Sequence, residues 1–264
     1  MNLLSVALSG ALALLTVGAG PDAKVSVPST TAGPPPLAQV LARVDELHRR
    51  RDDRTAFGEE QGLVEGALAR APQDYGVLWR AARFYFWTAD DPGQSSEQRS
   101  RVGKVGWDLA ERAVAANPNR VEGHYWAAVC MGNYALGLGV MRALANGLEG
   151  KFRERLGRAE QLDRRYEGGA VDTAWGRFYD KLPWPKRDRA EAERRLRRAI
   201  EVNPLNLRAR VYLAGVDLEE DRPAEAKRLL DEVAAAPIGS DPPEDRRAKA
   251  VGVGLMPQVA AKLK

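Results

Sequence analysis

The stretch Ala192–Ala214, AERRLRRAIEVNPLNLRARVYLA, is typical of one helix, a turn and the start of a second helix. Ala192, Leu196 and Ala199 are spaced four and three residues apart, so they share one helical face. Pro204 cannot continue that helix, because it lacks an N–H and its ring clashes with the preceding turn. The large-small pair Leu-Ala that closes the stretch then suits close packing against the first helix. The stretch therefore predicts a pair of packed helices.

The same pattern recurs along the chain at intervals of about 34 residues, and insertions lengthen some of the intervals. In this register the units begin at Leu41, Tyr75, Val121, Gly169 and Leu207. Small residues at fixed helical offsets, followed by a terminal proline, resemble the tetratricopeptide repeat (TPR). We therefore predict an all-α fold over residues 37–264, a right-handed superhelical solenoid of about five TPR-like helix pairs. The segment from Asp241 to the end is predicted to be a capping helix, broken near Gly252–Gly254 and Pro257.

The third unit carries a glycine-rich insertion, Gly132–Gly150, GNYALGLGVMRALANGLEG. Leu136, Val140, Leu144 and Leu148 recur in it every four residues, which favours an additional apolar helix. We expect this helix either to plug the interior of the solenoid or to contact an apolar ligand.

The composition suits helices with an apolar stripe and a solvated back, with 44% hydrophobic, 29% charged and 7% aromatic residues. The 40 basic and 36 acidic side chains are interleaved along the chain rather than gathered in blocks, so we expect no nucleic-acid partner. Cys130 is the single cysteine, which excludes an intrachain disulfide.

The N-terminal segment 1–19, MNLLSVALSGALALLTVGA, contains no charged side chain and has an apolar run from Leu3 to Val17. We predict a secretory signal peptide cleaved after Ala19, with an uncleaved N-terminal anchor as the alternative. Residues 20–36 are rich in Pro, Ser and Thr and are predicted to be a flexible linker. We therefore expect an exported, periplasmic bacterial protein. No cysteine lies directly after the apolar run, so we expect that it is not a lipoprotein.

No catalytic, cofactor or metal motif stands out in the sequence. The two histidines, His48 and His124, fall in different repeats, and the glycine-lysine pair of the insertion lacks the remaining features of a phosphate loop. We predict a protein that is not an enzyme and has no cofactor, no catalytic residue and no metal site. A cluster of close carboxylates, or contact between Cys130 and His124, would favour an enzyme.

The resemblance to TPR proteins implies which residues face the concave side of the solenoid, namely the second, fifth, ninth and twelfth of each repeat. The candidate ligand- or partner-binding residues are Trp79, Arg83, Phe86, Tyr125, Val129 and Arg177. Aromatic rings beside arginines would bury an apolar body and hold an anionic head group, with Arg83 and Arg177 as the anion-binding residues. In the alternative interpretation the aromatic residues belong to the core and the arginines are solvated.

A closer resemblance is carried by Gly123–Trp126 (GHYW), the glycine-rich insertion, Gly176–Tyr179 (GRFY) and Leu182-Pro183. These segments look like the T-component family associated with TRAP transporters, and the likeness covers about Tyr75–Pro237. A eukaryotic family of microtubule-associated TPR proteins has a similar segment, but the predicted export signal favours the first family.

The T-component resemblance implies a periplasmic, non-enzymatic helical protein that self-associates. It also implies a partner in the envelope, the solute-binding protein of an importer for organic acids or other small ligands. A structural protein–protein interaction scaffold of the bacterial envelope, with no small-molecule ligand, is the alternative function.

Overall fold

The computed structural model describes residues 34–264, and Pro36–Lys264 form one compact unit. The predicted signal peptide (1–19) and nearly all of the predicted linker (20–36) lie outside the described residues. The described residues form twelve helices: α1 Leu37–His48, α2 Arg54–Arg70, α3 Tyr75–Ala89, α4 Ser96–Ala116, α5 Val121–Leu138, α6 Val140–Ala145, α7 Leu148–Leu162, α8 Tyr166–Lys181, α9 Arg189–Val202, α10 Leu207–Glu219, α11 Pro223–Ala235 and α12 Pro242–Lys262.

These helices stack as five pairs, α1/α2, α3/α4, α5/α7, α8/α9 and α10/α11, and α12 packs on the last pair. The prediction of an all-α helical solenoid with a C-terminal capping helix is confirmed. In the stretch that indicated the fold, Ala192, Leu196 and Ala199 are fully buried. The helix they belong to ends at Val202, and Pro204 lies in the turn before α10.

Polar residues at the helix starts explain where several helices begin. Asp74 precedes α3 and accepts a hydrogen bond of 2.9 Å from the amide of Val77. Before α4, the Ser95 hydroxyl accepts from the amide of Gln98, whose side chain accepts from the Ser95 amide in return. Such caps satisfy N–H groups that have no partner inside the helix and are worth about 1 kcal/mol each.

Neighbouring helices approach closely where one of them carries glycine. Gly176 of α8 is a clear case, because a Cβ atom there would lie 2.5 Å from Cγ of Leu196 in α9. At Gly137 of α5 an added Cβ would overlap the backbone of Ser100 in α4. None of the described helices has the length and apolar content needed to cross a membrane.

The additional helix predicted for the insertion is present as the short helix α6, and the rest of the insertion belongs to its neighbours. Its first part lengthens α5 to Leu138, and its second part forms the short helix α6 before α7 begins. Gly139, with φ of 95°, and Gly147, with φ of 72°, interrupt the helical path on either side of α6. Positive φ is a conformation that glycine adopts easily, so these glycines separate the helices.

The predicted break in the capping helix is wrong, because α12 is continuous from Pro242 to Lys262. At Gly252 a Cβ atom would lie 3.5 Å from Leu230 of α11, so the glycine lies where the two helices pack. Pro257 lies near the end of α12, where its missing N–H removes one hydrogen bond without ending the helix.

The first and last parts of the solenoid are joined by ionic contacts. Arg51, in the turn after α1, binds Asp241, the residue that caps α12. Arg246 of α12 pairs with Asp52, and Arg247 stacks on the ring of Trp87 of α3. We call these three pairs the end-to-end contact. It connects the first and second helix pairs to the capping helix.

Candidate functional site

The solenoid has a partly open cavity of about 810 Å³. Much of its wall comes from α3, α5, α8 and α10, the first helices of four successive pairs, and α1, the insertion and the start of α12 also contribute. This volume falls in the range of small-molecule sites, roughly 300–1,000 Å³. The structure places all six residues predicted from the sequence along this wall: Trp79, Arg83, Phe86, Tyr125, Val129 and Arg177.

The aromatic residues of the wall are also part of the hydrophobic core. Tyr125 is only 8% exposed, and its ring meets that of Trp126 nearly edge-on at 4.9 Å. Phe86 lies on the other side of Trp126 at 5.5 Å between ring centroids. The two interpretations of these aromatic residues, core and site, thus apply to the same side chains.

The insertion supplies an apolar part of the wall. Although the insertion is divided between two helices and a turn, Leu136, Val140, Leu144 and Leu148 all line the cavity. The chain turns at Gly139, and the apolar residues before and after this turn line the same cavity. The insertion therefore occupies part of the interior of the solenoid, and the cavity lies beside the insertion.

Arg83 faces the cavity and shares one carboxylate with Arg80. One of its terminal N–H groups donates to Asp45 of α1 at 2.8 Å, and Arg80 binds the same carboxylate. Burial opposes ionisation of Asp45, but the hydrogen bond from Arg80 and the charges of both arginines outweigh burial and lower the pKa of Asp45. The guanidinium of Arg83 also lies 5.1 Å from the ring of Trp79. The Asp45–Arg80–Arg83 group thus keeps one positive charge, and Nε of Arg83 is buried without a hydrogen-bond partner among the described residues.

Arg177 is less constrained than Arg83. It lies 3.5 Å from the carboxylate of Asp180, and its guanidinium stacks on the ring of Tyr212 at 4.6 Å. Its side chain is 37% exposed. Because a guanidinium has five N–H donors, Arg177 keeps hydrogen-bonding capacity after these contacts.

Arg208 is a cavity residue that the sequence-based prediction missed. It donates to Asp90 at 2.8 Å and binds Glu244 of α12 through two further N–H groups. Its guanidinium also lies 5.7 Å from the ring of Phe86. Its position in the repeat could have identified it, because Arg208 is the second residue of the fifth repeat and the second residue is one of the concave positions.

His48 forms a buried pair with Glu60 at the edge of the cavity. Its Nδ1 lies 2.8 Å from Oε1 of Glu60, whose side chain is fully buried. Burial raises the pKa of Glu60 to about 7. Burial and the charges of Arg83 and Arg51 hold the pKa of His48 well below its ordinary value. Both shifts favour neutral groups, so the pair shares a single proton.

The described residues show no arrangement suited to covalent catalysis or metal binding. The Cys130 thiol donates to the carbonyl of Ala82 at 3.4 Å, whereas Nε2 of His124 lies 2.9 Å from the carbonyl of Pro118. Burial raises the pKa of the Cys130 thiol, which suppresses the reactive thiolate. No group of three or more potential metal ligands occurs within residues 34–264.

Two family models match the chain. The model described as Regulator of microtubule dynamics protein 1-3 matches residues 40–168, from α1 to the start of α8. A tetratricopeptide-repeat model matches residues 186–237, which include α9, α10 and α11. Neither model describes the T-component family, and no curated protein matches the chain.

The chain also resembles a solved structure, the crystal structure of a thermophilic TPR protein from Thermus thermophilus. The likeness has a TM-score of 0.63 and covers 84% of this chain and 99% of that chain. At 18% sequence identity it concerns the fold. With helix pairs in a solenoid, a repeat-model match over residues 186–237 and a TPR protein of similar fold, this chain has a tetratricopeptide-repeat fold.

Proposed function

We propose that this TPR protein is a non-catalytic binding protein that encloses a small amphiphilic ligand in its interior cavity. The proposal rests on the observation that two separate parts of the chain line the same cavity. The concave side chains of the repeats and the four apolar residues of the insertion line the same cavity of about 810 Å³. Apolar walls with a few polar groups are typical of small-molecule sites.

Asn133 gives further support for an occupant. Its side chain lines the cavity, the residue is 4% exposed, and its Nδ2 has no hydrogen-bond partner among the described residues. A buried amide without a partner costs about 1–3 kcal/mol. A polar group on a ligand would supply the missing hydrogen bond.

The apolar body is the part of the ligand that the cavity wall suits best. Arg83 and Arg177, which were expected to hold an anionic head group, each have a carboxylate neighbour. The apolar wall has no such competitor. We therefore propose Trp79, Phe86, Tyr125 and Val129 as the contacts for the apolar body.

We further propose that the protein is exported to the periplasm and works with another envelope protein. Support comes from the uncharged apolar run of residues 3–17 and from the resemblance to the T-component family. In this proposal the partner is the solute-binding protein of a TRAP-type transport system. The TPR fold itself implies protein partners in general, because stacked helix pairs present extended binding surfaces.

A structural scaffold of the envelope without a small ligand is the second candidate, and Trp184 favours it. This tryptophan lies between Pro183 and Pro185 and is 88% exposed. Exposed tryptophans on rigid loops are frequent anchors at protein–protein interfaces.

Native mass spectrometry of the mature protein, purified from its own envelope fraction, tests both candidates. The spectrum reports a retained ligand, a co-purified partner and the number of copies in a homo-oligomer. Leu144→Trp is designed to fill the cavity. Ala145→Trp is the matched control, since it adds the same ring one residue later at an exposed position that does not line the cavity.

The enclosed-ligand function predicts a bound small molecule in the wild type and in Ala145→Trp, and its loss in Leu144→Trp. An empty wild-type protein that co-purifies with an envelope protein would favour the scaffold. In that case Trp184→Ala is expected to weaken the association.

A further inference from the structure

The short helix α6 forms one part of the cavity wall and has an exposed outer face. Val140, Ala143 and Leu144 share one helical face, and all three line the cavity. On the other face Met141 is 69% exposed, and Ala145 is exposed as well. This helix therefore separates part of the cavity from solvent.

Glycines flank α6 at both of its ends. Gly139 has φ of 95° and Gly147 has φ of 72°, and a Cβ atom added to either of them would meet no atom within 4 Å. Glycine adopts positive and negative φ about equally well, so it can change between them at little cost. Because no neighbouring atom crowds these two positions, they are suited to act as hinges.

No polar side-chain contact holds α6 in place. Its backbone hydrogen bonds end within the insertion, as when the amide of Ala143 donates to the carbonyl of Gly139 at 3.0 Å. No side chain of residues 139–148 forms a hydrogen bond or an ion pair with another described residue. A helix of six residues is marginal by itself, so its position depends on its apolar packing against α5 and α7.

The neighbouring helix α7 is anchored more firmly than α6. Arg155 of α7 binds Glu111 of α4 at 2.7 Å, and the ring of Phe152 stacks on that of Phe178 of α8 with 4.5 Å between the ring centroids. The contrast between the two helices limits the movable part of the wall to the segment between the two glycines.

We propose that α6 is a gate of the cavity, which swings outward about Gly139 and Gly147 and admits an amphiphile beneath its apolar face. The movement requires no ligand, but its role as a gate rests on the proposed enclosed-ligand function. The tail of a bound amphiphile contacts Val140 and Leu144, the residues that hold α6 against the wall. A bound ligand should therefore keep the gate closed.

Labelling of a thiol on the inner face of α6 measures the opening. Ala143→Cys places this thiol where the wild-type residue is 3% exposed. The reagent is a maleimide on a long polyethylene glycol chain, which is too large to enter a cavity of about 810 Å³. Ala159→Cys is the matched control, since Ala159 lies in α7 and is fully buried.

We expect the thiol of Ala143→Cys to be labelled in the native protein at least about tenfold faster than that of Ala159→Cys, because local opening costs less free energy than global unfolding. Cys130 lies fully buried in α5 and should stay unlabelled in both variants, which shows that the core remains closed.

Gly147→Ala tests the hinge. The closed gate keeps φ of 72° at this position, which alanine adopts only at a cost, so the open gate should become more populated. We expect Gly147→Ala to make the labelling of Ala143→Cys about 5- to 30-fold faster. Gly150→Ala in α7 is the control and should leave the rate unchanged, because Gly150 has no positive φ and an added Cβ meets no atom there either.

The probe 1-decanol connects the gate to the ligand, and isothermal titration calorimetry gives its Kd. At about ten times that Kd, decanol should slow the labelling of Ala143→Cys about tenfold, since it binds the closed form. Equal labelling of Ala143→Cys and Ala159→Cys, no effect of Gly147→Ala, or decanol that binds without slowing the labelling would each overturn the gate and leave the enclosed-ligand function standing. Absence of decanol binding would overturn the enclosed-ligand function and the gate together.

Discussion

Arg51, in the turn after α1, donates two hydrogen bonds of 2.8 Å to the carboxylate of Asp241, which lies 190 residues later at the start of α12. The Arg51 side chain is 5% exposed and also donates to the carbonyl of His48. Its guanidinium lies 4.2 Å from the ring of Trp87. The contact thus ties the first helix pair to the capping helix through a nearly buried charge.

We expect Arg51→Ala to lower the free energy of unfolding by about 2 kcal/mol, because a nearly buried, charged donor loses its partners. Urea denaturation followed by circular dichroism measures this change. Arg228→Ala is the control, since Arg228 and Glu232 form an exposed pair on α11 whose loss should have little effect. Equal losses in the two variants would contradict a special role for the end-to-end contact.

A second prediction concerns helix packing. Gly137→Ala should lower the free energy of unfolding by about 1–3 kcal/mol, because the added methyl group overlaps the backbone of Ser100. Gly62→Ala in α2 meets no atom within 4 Å and should raise stability by about 0.5–1 kcal/mol through better helix propensity. Thermal and urea unfolding of the two variants give the comparison. A stabilising effect of Gly137→Ala would contradict the close approach of α4 and α5 at this position.

The shared proton of His48 and Glu60 leads to a prediction on pH. Between about pH 4.5 and 6.5 the unfolded chain carries one proton on His48, and the folded pair also holds one proton. The pair should therefore contribute no change of stability in that window, although burial raises the pKa of Glu60 to about 7. Below the window the unfolded state binds the second proton first, so stability falls.

Glu60→Gln removes the carboxyl group that can hold the shared proton. His48 then resists protonation alone, because burial and the charges of Arg83 and Arg51 lower its pKa. Relative to the wild type, the variant should lose stability as the pH falls below about 6.5, with a slope of up to about 1.4 kcal/mol per pH unit. Urea unfolding at pH 7.5, 6.5 and 5.5 measures the slope, and parallel pH profiles of the two proteins would rule out the shared proton.

Cys130 provides a probe of unfolding. It is fully buried, and burial raises the pKa of its thiol, so we expect no reaction with iodoacetamide under native conditions. Labelling should begin only at urea concentrations that unfold the core. Ala145→Cys, at an exposed position, should be labelled rapidly and confirms that the reagent is active. Rapid native labelling of Cys130 would reveal local opening between α3 and α5.

The repeat architecture could be predicted from the sequence because it depends on short-range periodicity. Ala192, Leu196 and Ala199 lie on one face of one helix, and their burial follows from that spacing. Arg83 and Arg177 could be assigned to the cavity wall in the same way, from their positions in the repeat.

Features that depend on local backbone conformation or on distant contacts could not be predicted. Glu167 lies in a left-handed turn, where helical periodicity gives no indication of side-chain direction. The pair of Arg83 with Asp45 joins different repeats, so this contact has no signal in the helix that carries Arg83. Nor does any periodicity relate Arg51 to Asp241.

The end-to-end contact also has a consequence for how this gene could change over generations. In an open solenoid a helix pair can be duplicated or deleted with little harm, because each pair contacts only its neighbours. Here the register of five pairs and the insertion brings Arg51 to Asp241, and removal of one pair would separate them. Unequal recombination between repeats would thus be selected against. The number of repeats should therefore be fixed in this lineage, whereas it commonly changes among other repeat proteins.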